Sequence, residues 1–157
     1  MSIKSLSVAQ RLLEDCAEVG AGAVTPMQLI KLAYIAHGLM LGKHGAPLLD
    51  ECVEAWEYGP VVPSVYRAVK RYKSSPVGSV DGADREFTFS ADEAMVMKLT
   101  AKTYGNAAGT RLSAATHKPG TPWTQTWSKW GRNADISNDL IEDFYRRLLG
   151  QGRHSAL

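Results

Sequence analysis

Cysteine is scarce. The 157-residue chain has two, Cys16 and Cys52, far apart and without a C-x-x-C spacing. They can build neither a thiolate zinc module nor a disulfide framework. Two isolated cysteines of this kind read as reduced and buried. Long hydrophobic runs are missing as well. The most apolar stretch, residues 27–41, is broken by Lys31 and His37 and falls short of the ~20 apolar residues that span a bilayer. The opening Met1-Ser2-Ile3-Lys4-Ser5-Leu6-Ser7 has no apolar core of a signal peptide. A cytoplasmic protein with no membrane partner is expected. Charge of one sign is absent too: 18 Lys and Arg against 16 Asp and Glu leave +2, with a pI near 8.5. Dedicated nucleic-acid domains usually exceed a pI of about 9, so nucleic acid is a disfavoured partner. No G-x-G-x-x-G, G-x-x-x-x-G-K-[ST] or G-x-S-x-G run occurs, which removes the common nucleotide and serine-hydrolase signatures.

What is present describes an ordinary globular domain. With 45% hydrophobic and 22% charged residues, the chain suits one domain over residues 1–150, with a disordered tail at 151–157. Ser7-Val8-Ala9-Gln10 has capping-box spacing, and residues 8–19 follow at helical intervals. Thr25-Pro26-Met27-Gln28 starts a second helix, with Pro26 suited to its first position. Behind it, residues 27–41 are apolar on nearly every face, as befits a buried central helix. Residues 52–58 read as a strand followed by a Gly59-Pro60 turn. Residues 64–73 read as a helix, and 74–85 as a loop rich in Ser, Gly, Pro and Asp. Phe87-Thr88-Phe89 is a candidate second strand. Ser90-Ala91-Asp92-Glu93 caps another helix, and a short one ends at His117. Trp123, Trp127 and Trp130 fall in an irregular or weakly helical stretch, and residues 137–149 form a last helix. The fold class is mainly α (α+β): a compact helical domain with a small two-stranded β element.

Candidate chemistry is thin. Histidines 37, 44, 117 and 154 offer no three- or four-ligand set at metal spacing, so no metal or cofactor is expected. Glu54 and Glu57 would point to opposite faces of a strand, which argues against an acid–base pair. Ser113, Thr116 and His117 are neighbours in sequence, which is not triad geometry. The remaining feature is the basic run Tyr66-Arg67-Ala68-Val69-Lys70-Arg71-Tyr72-Lys73. Arg67, Lys70 and Arg71 share one helical face there, either as a solvated surface, as a contact for an acidic protein, or as a contact for nucleic acid.

Two long runs carry a resemblance. Thr25-Pro26-Met27-Gln28-Leu29-Ile30-Lys31-Leu32-Ala33-Tyr34-Ile35-Ala36-His37-Gly38 resembles the opening helix of the Panacea domain. Glu54-Ala55-Trp56-Glu57-Tyr58-Gly59-Pro60-Val61-Val62-Pro63-Ser64-Val65-Tyr66 is similar to that family's second signature. Looser matches are Tyr104-Gly105, Leu112-Ser113, Thr116-His117 and Pro122-Trp123. The family includes phage-associated GepA proteins and SocA-like antitoxins. The resemblance implies a non-enzymatic antitoxin that binds a cognate protein toxin encoded beside it. One alternative it implies is an adaptor delivering the toxin to a ClpXP-type protease; a DNA-binding regulator is a second alternative. Thr25, Pro26, Gln28, Lys31, Tyr34, His37, Gly59, Pro60, His117 and Trp123 are motif positions expected to act structurally. Partner contact is expected at Glu54, Trp56, Tyr58, Tyr66, Arg67, Lys70 and Arg71, chosen by residue type and expected exposure.

Overall fold

The computed structural model describes residues 3–150. In chain order these form α1 (Ile3–Glu18), α2 (Pro26–His44), β1 (Val53–Trp56), β2 (Gly59–Val61), α3 (Pro63–Val69) with a 3-10 turn at Lys70–Tyr72, α4 (Ala91–Tyr104), α5 (Gly109–Thr116), α6 (Pro122–Trp130), β3 (Ala134–Ile136) and α7 (Asn138–Gly150). The mainly α class with a small β element is as expected. The anticipated tail at 151–157 lies outside the described residues.

Helix α2 is the axis. Thr25 Oγ1 accepts from Gln28 N, the Gln28 side-chain oxygen accepts from Thr25 N, and Pro26 fills the first turn. Gly45 closes the helix at φ 69°, a left-handed value that glycine adopts without strain. All residues from Gln28 to Leu41 are buried, because α1, α4, α5 and α7 pack around the helix. Helix α7 comes closest: a Cβ on Gly38 would lie 2.3 Å from the Tyr145 ring, and one on Gly42 would lie 2.8 Å from Arg146 N. Tyr34 and Tyr145 meet edge to face at 6.1 Å in the same contact.

His37 ties three segments together. Its Nδ1 accepts from Leu48 N and Leu49 N, and its Nε2–H donates to Asn138 Oδ1 at 2.9 Å. The ring is thus a neutral structural pin between α2, the segment entering β1 and the start of α7. Burial pushes its pKa down to about 4, with a smaller push from Lys4.

The sheet has three antiparallel strands in the order β2-β1-β3, one more than expected. Phe87–Phe89 is not among them. Both edges of β1 are taken by β2 and β3, so this segment cannot pair with β1; its two rings pack on each other at 4.8 Å. Trp56 pairs with Gly59, so Glu57-Tyr58 is the hairpin turn and Gly59-Pro60 belong to β2. An edge strand tolerates the missing proline N–H.

Other expectations change as well. Ser7 and Gln10 lie inside α1 and cap nothing. Ser7 Oγ donates to Ile3 O and accepts from Asp84 N, while Gln10 Oε1 accepts from Val80 N. They anchor the 74–85 loop, whose Val77 and Val80 are buried. The tryptophan stretch is a proper helix, capped by Thr121 with Pro122 in its first turn. Cys16 is buried as expected, whereas Cys52 is exposed; neither is bonded.

Candidate functional site

The β1–β2 hairpin is held from one side through its carbonyls. Ser113 Oγ of α5 donates to Tyr58 O, and Trp123 Nε1 of α6 donates to Trp56 O at 2.7 Å. Trp123 is itself gripped, stacked on Trp127 at 5.0 Å and met edge-on by His117 at 5.2 Å. His117 Nδ1–H donates to Ser113 O. The motif residues His117 and Trp123 therefore fix the hairpin backbone. Tyr58, at the turn, is left 64% exposed.

Beside this hairpin runs a groove of about 450 Å³. Pro26, Met27, Ile30 and Lys31 from the start of α2 form one wall, and Trp56, Glu57, Tyr58 and Val61 from the hairpin another. Tyr66, Lys70, Lys73, Arg132 and Asn133 complete it. Trp56 and Tyr66 meet edge to face at 4.9 Å, and Lys70 Nζ lies 5.8 Å from the centre of the Tyr66 ring, within cation–π range. The lining holds four cations and one carboxylate, Glu57, which pairs with Arg132 at 3.8 Å. It combines an apolar and aromatic surface with net positive charge.

Lys31 is its unusual member. The side chain is 2% exposed, and Nζ donates to Pro60 O at 2.8 Å. That bond ties α2 to the hairpin. No ion pair accompanies it among the described residues, and burial lowers the lysine pKa to about 7. Above pH 7 the folded chain sheds this proton while the unfolded chain keeps it up to about 10.5, so the cost of burying Lys31 shrinks as pH rises. Lys31→Met removes that cost. It is expected to melt higher than the wild type near pH 7, with the gap narrowing by about 2 kcal/mol between pH 7 and 9. Paired urea titrations at the two pH values check this.

Of the residues expected to meet a partner, the structure brings Trp56, Tyr58, Tyr66 and Lys70 to one groove. Glu54, Arg67 and Arg71 are not in its lining. Glu54 Oε1 accepts from Trp56 Nε1 at 2.9 Å. The expected single Arg67/Lys70/Arg71 face is divided, because α3 ends at Val69. Lys70 turns to the groove, while Arg71 pairs with Asp81 at 3.3 Å and lies over Tyr72. Sequence reasoning missed Met27, Ile30, Lys73, Arg132 and Asn133; the last two arrive only through the pairing of β3 with β1. The polar residues considered for catalysis are committed elsewhere. Ser113 serves the hairpin, Thr116 Oγ1 donates to Leu112 O, and Glu54 stays out of the groove that Glu57 lines. Among the described residues no group of three or more His, Cys, Asp or Glu could hold a metal, and no helix is long and apolar enough to cross a membrane.

Comparison with known proteins places this arrangement. A family model described as antitoxin SocA-like, Panacea domain, matches residues 29–124, from the first turn of α2 through the hairpin to the start of α6. The chain is 28% identical over 160 residues to antitoxin SocA of Caulobacter vibrioides (strain NA1000 / CB15N), covering 92% of this chain and 84% of that protein. No solved structure matches. The family match takes in more than half of the chain, with the first long motif from Leu29 onward and the whole of the second, and the chain belongs to the SocA-like antitoxin family defined by the Panacea domain.

Proposed function

We propose that this protein neutralises a toxin encoded beside it by direct binding, without catalysis, and that the groove is the docking face. The carrying observation is the convergence of Trp56, Tyr58, Tyr66 and Lys70 on one recess with excess positive charge. Aromatic and cationic anchors in a recess typically dominate protein interfaces. The hairpin that presents Trp56 and Tyr58 is fixed by Ser113 and Trp123, so little order is lost there on binding.

Co-expression with the adjacent reading frame tests the proposal, with host growth and co-purification scored together. Rescue with a stable complex supports neutralisation by binding. Rescue in which the neighbour vanishes, and returns when the host ClpXP-type protease is deleted, supports delivery to the protease instead. A neighbour that is harmless without this protein removes the proposal's support at this locus. Within the rescue assay, Arg67→Glu with Arg71→Glu is a control off the groove. Reversing charges outside the docking face is expected to change the salt dependence of association while leaving rescue intact.

A further inference from the structure

Lys31 has donors to spare. An ammonium offers three N–H groups, and the Pro60 carbonyl takes one. The side chain is 98% buried by its 2% exposure, yet it lines the groove and is the most enclosed of the lining cations. A buried ammonium with a single neutral acceptor is costly to the fold, and a carboxylate is the partner that offsets such a cost. The one acidic residue of the lining, Glu57, is already paired with Arg132. Met27, Ile30, Trp56 and Val61 line the same groove, which favours an apolar neighbour to that carboxylate.

Resting on the reading of the groove as the toxin-docking face, we infer that it receives an acidic, apolar segment of the partner protein, in which one Asp or Glu carboxylate closes onto Lys31 Nζ while an adjacent aliphatic or aromatic side chain packs between Met27 and Trp56. Lys70 and Lys73 at the rim attract the segment, and Lys31 reads it. Charge complementarity selects this occupant over a basic one. The enclosure of Lys31, at 2% exposure, selects a single carboxylate over a nucleic-acid backbone, which is bound along exposed cations.

A displayed library of random ten-residue peptides, selected on the full-length protein, is the probe. The strongest binder is then synthesised, and its affinity is measured by fluorescence anisotropy against wild type and Lys31→Met, before and after its acid is changed to the matching amide. The expected result is enrichment of peptides carrying Asp or Glu beside an apolar residue. The amide should bind wild type at least tenfold more weakly and Lys31→Met less than twofold more weakly than the acid. Equal losses on both proteins, enrichment without acids, or no enrichment at all would overturn the inference. So would displacement of the peptide by equimolar oligothymidylate at physiological salt, which would favour nucleic acid. Should Lys31→Met fail to fold, the acid-to-amide change on wild type still decides, because it leaves the protein untouched. The toxin reading fails separately, when the product of the adjacent reading frame is harmless without this protein; growth rescue that persists in Lys31→Met but is lost with groove-rim variants would instead keep docking and remove the carboxylate contact.

Discussion

Gly42→Ala is expected to destabilise the protein by about 3 kcal/mol, although alanine in a helix interior normally gains about 1 kcal/mol over glycine. The added Cβ would sit 2.8 Å from Arg146 N and from Tyr145 C. Those are backbone atoms of α7, so no rotamer change relieves the overlap; the two helices must separate. Separation would open the Tyr34–Tyr145 contact and thin the core around Ile141 and Leu148, both buried. Against a total stability of roughly 5–15 kcal/mol, this leaves the variant marginal. Gly22→Ala is the matched control, since nothing lies within 4 Å of its new Cβ. Urea denaturation of the two variants should give a large loss for the first and a change within about 0.5 kcal/mol for the second. Similar midpoints for both would contradict the close α2–α7 packing.

His37→Phe is expected to cost about 3–5 kcal/mol near neutral pH. It keeps a ring in the core but strips acceptors from Leu48 N and Leu49 N, and buried orphan donors cost about 1–3 kcal/mol each. The wild-type histidine also imposes a pH dependence. Its ordinary pKa of 6.5 falls to about 4 in the folded chain. Between these values the unfolded state binds the proton and the folded state does not, so stability drops as pH falls through this window. At about 1.36 kcal/mol per unit the full loss approaches 3 kcal/mol. His37→Phe lacks this contribution, so the stability difference between the two proteins should shrink steadily from pH 7 to pH 4. A difference independent of pH would contradict the neutral, doubly accepting Nδ1.

Which parts of this molecule are legible in its sequence depends on how local their partners are. The start of α2 could be read because Thr25, Pro26 and Gln28 complete their capping within four residues. Ser7 and Gln10 show the same spacing, yet their side chains serve Asp84 and Val80, 77 and 70 residues away; no local pattern distinguishes the two uses. Helix α6 has Pro122 in its first turn and tryptophans at 123, 127 and 130, a helical i, i+4, i+7 spacing, but Thr121 lacks the Gln that completes the α2 box and the Pro119-Gly120 pair before it reads as a chain break. Strand β3 has three residues and one buried side chain, Ile136, too little alternation to register. The candidate site divides in the same way. Trp56, Tyr58, Tyr66 and Lys70 stand out by residue type within one continuous run. Arg132 and Asn133 join them only because β3 pairs with β1, and Lys31 gains its character from a carbonyl 29 residues away.

The account centres on the groove as the surface that meets a toxin. The affinity of the purified protein for the product of the adjacent reading frame, measured for wild type and for Tyr58→Ala combined with Lys70→Glu, tests it most directly. Both side chains are exposed, so folding should be unaffected, and thermal melts verify that. The account predicts at least a hundredfold weaker binding by the double variant, in line with the ~2 kcal/mol or more carried by such anchors. A complex of undiminished affinity would contradict it and place the toxin on another face.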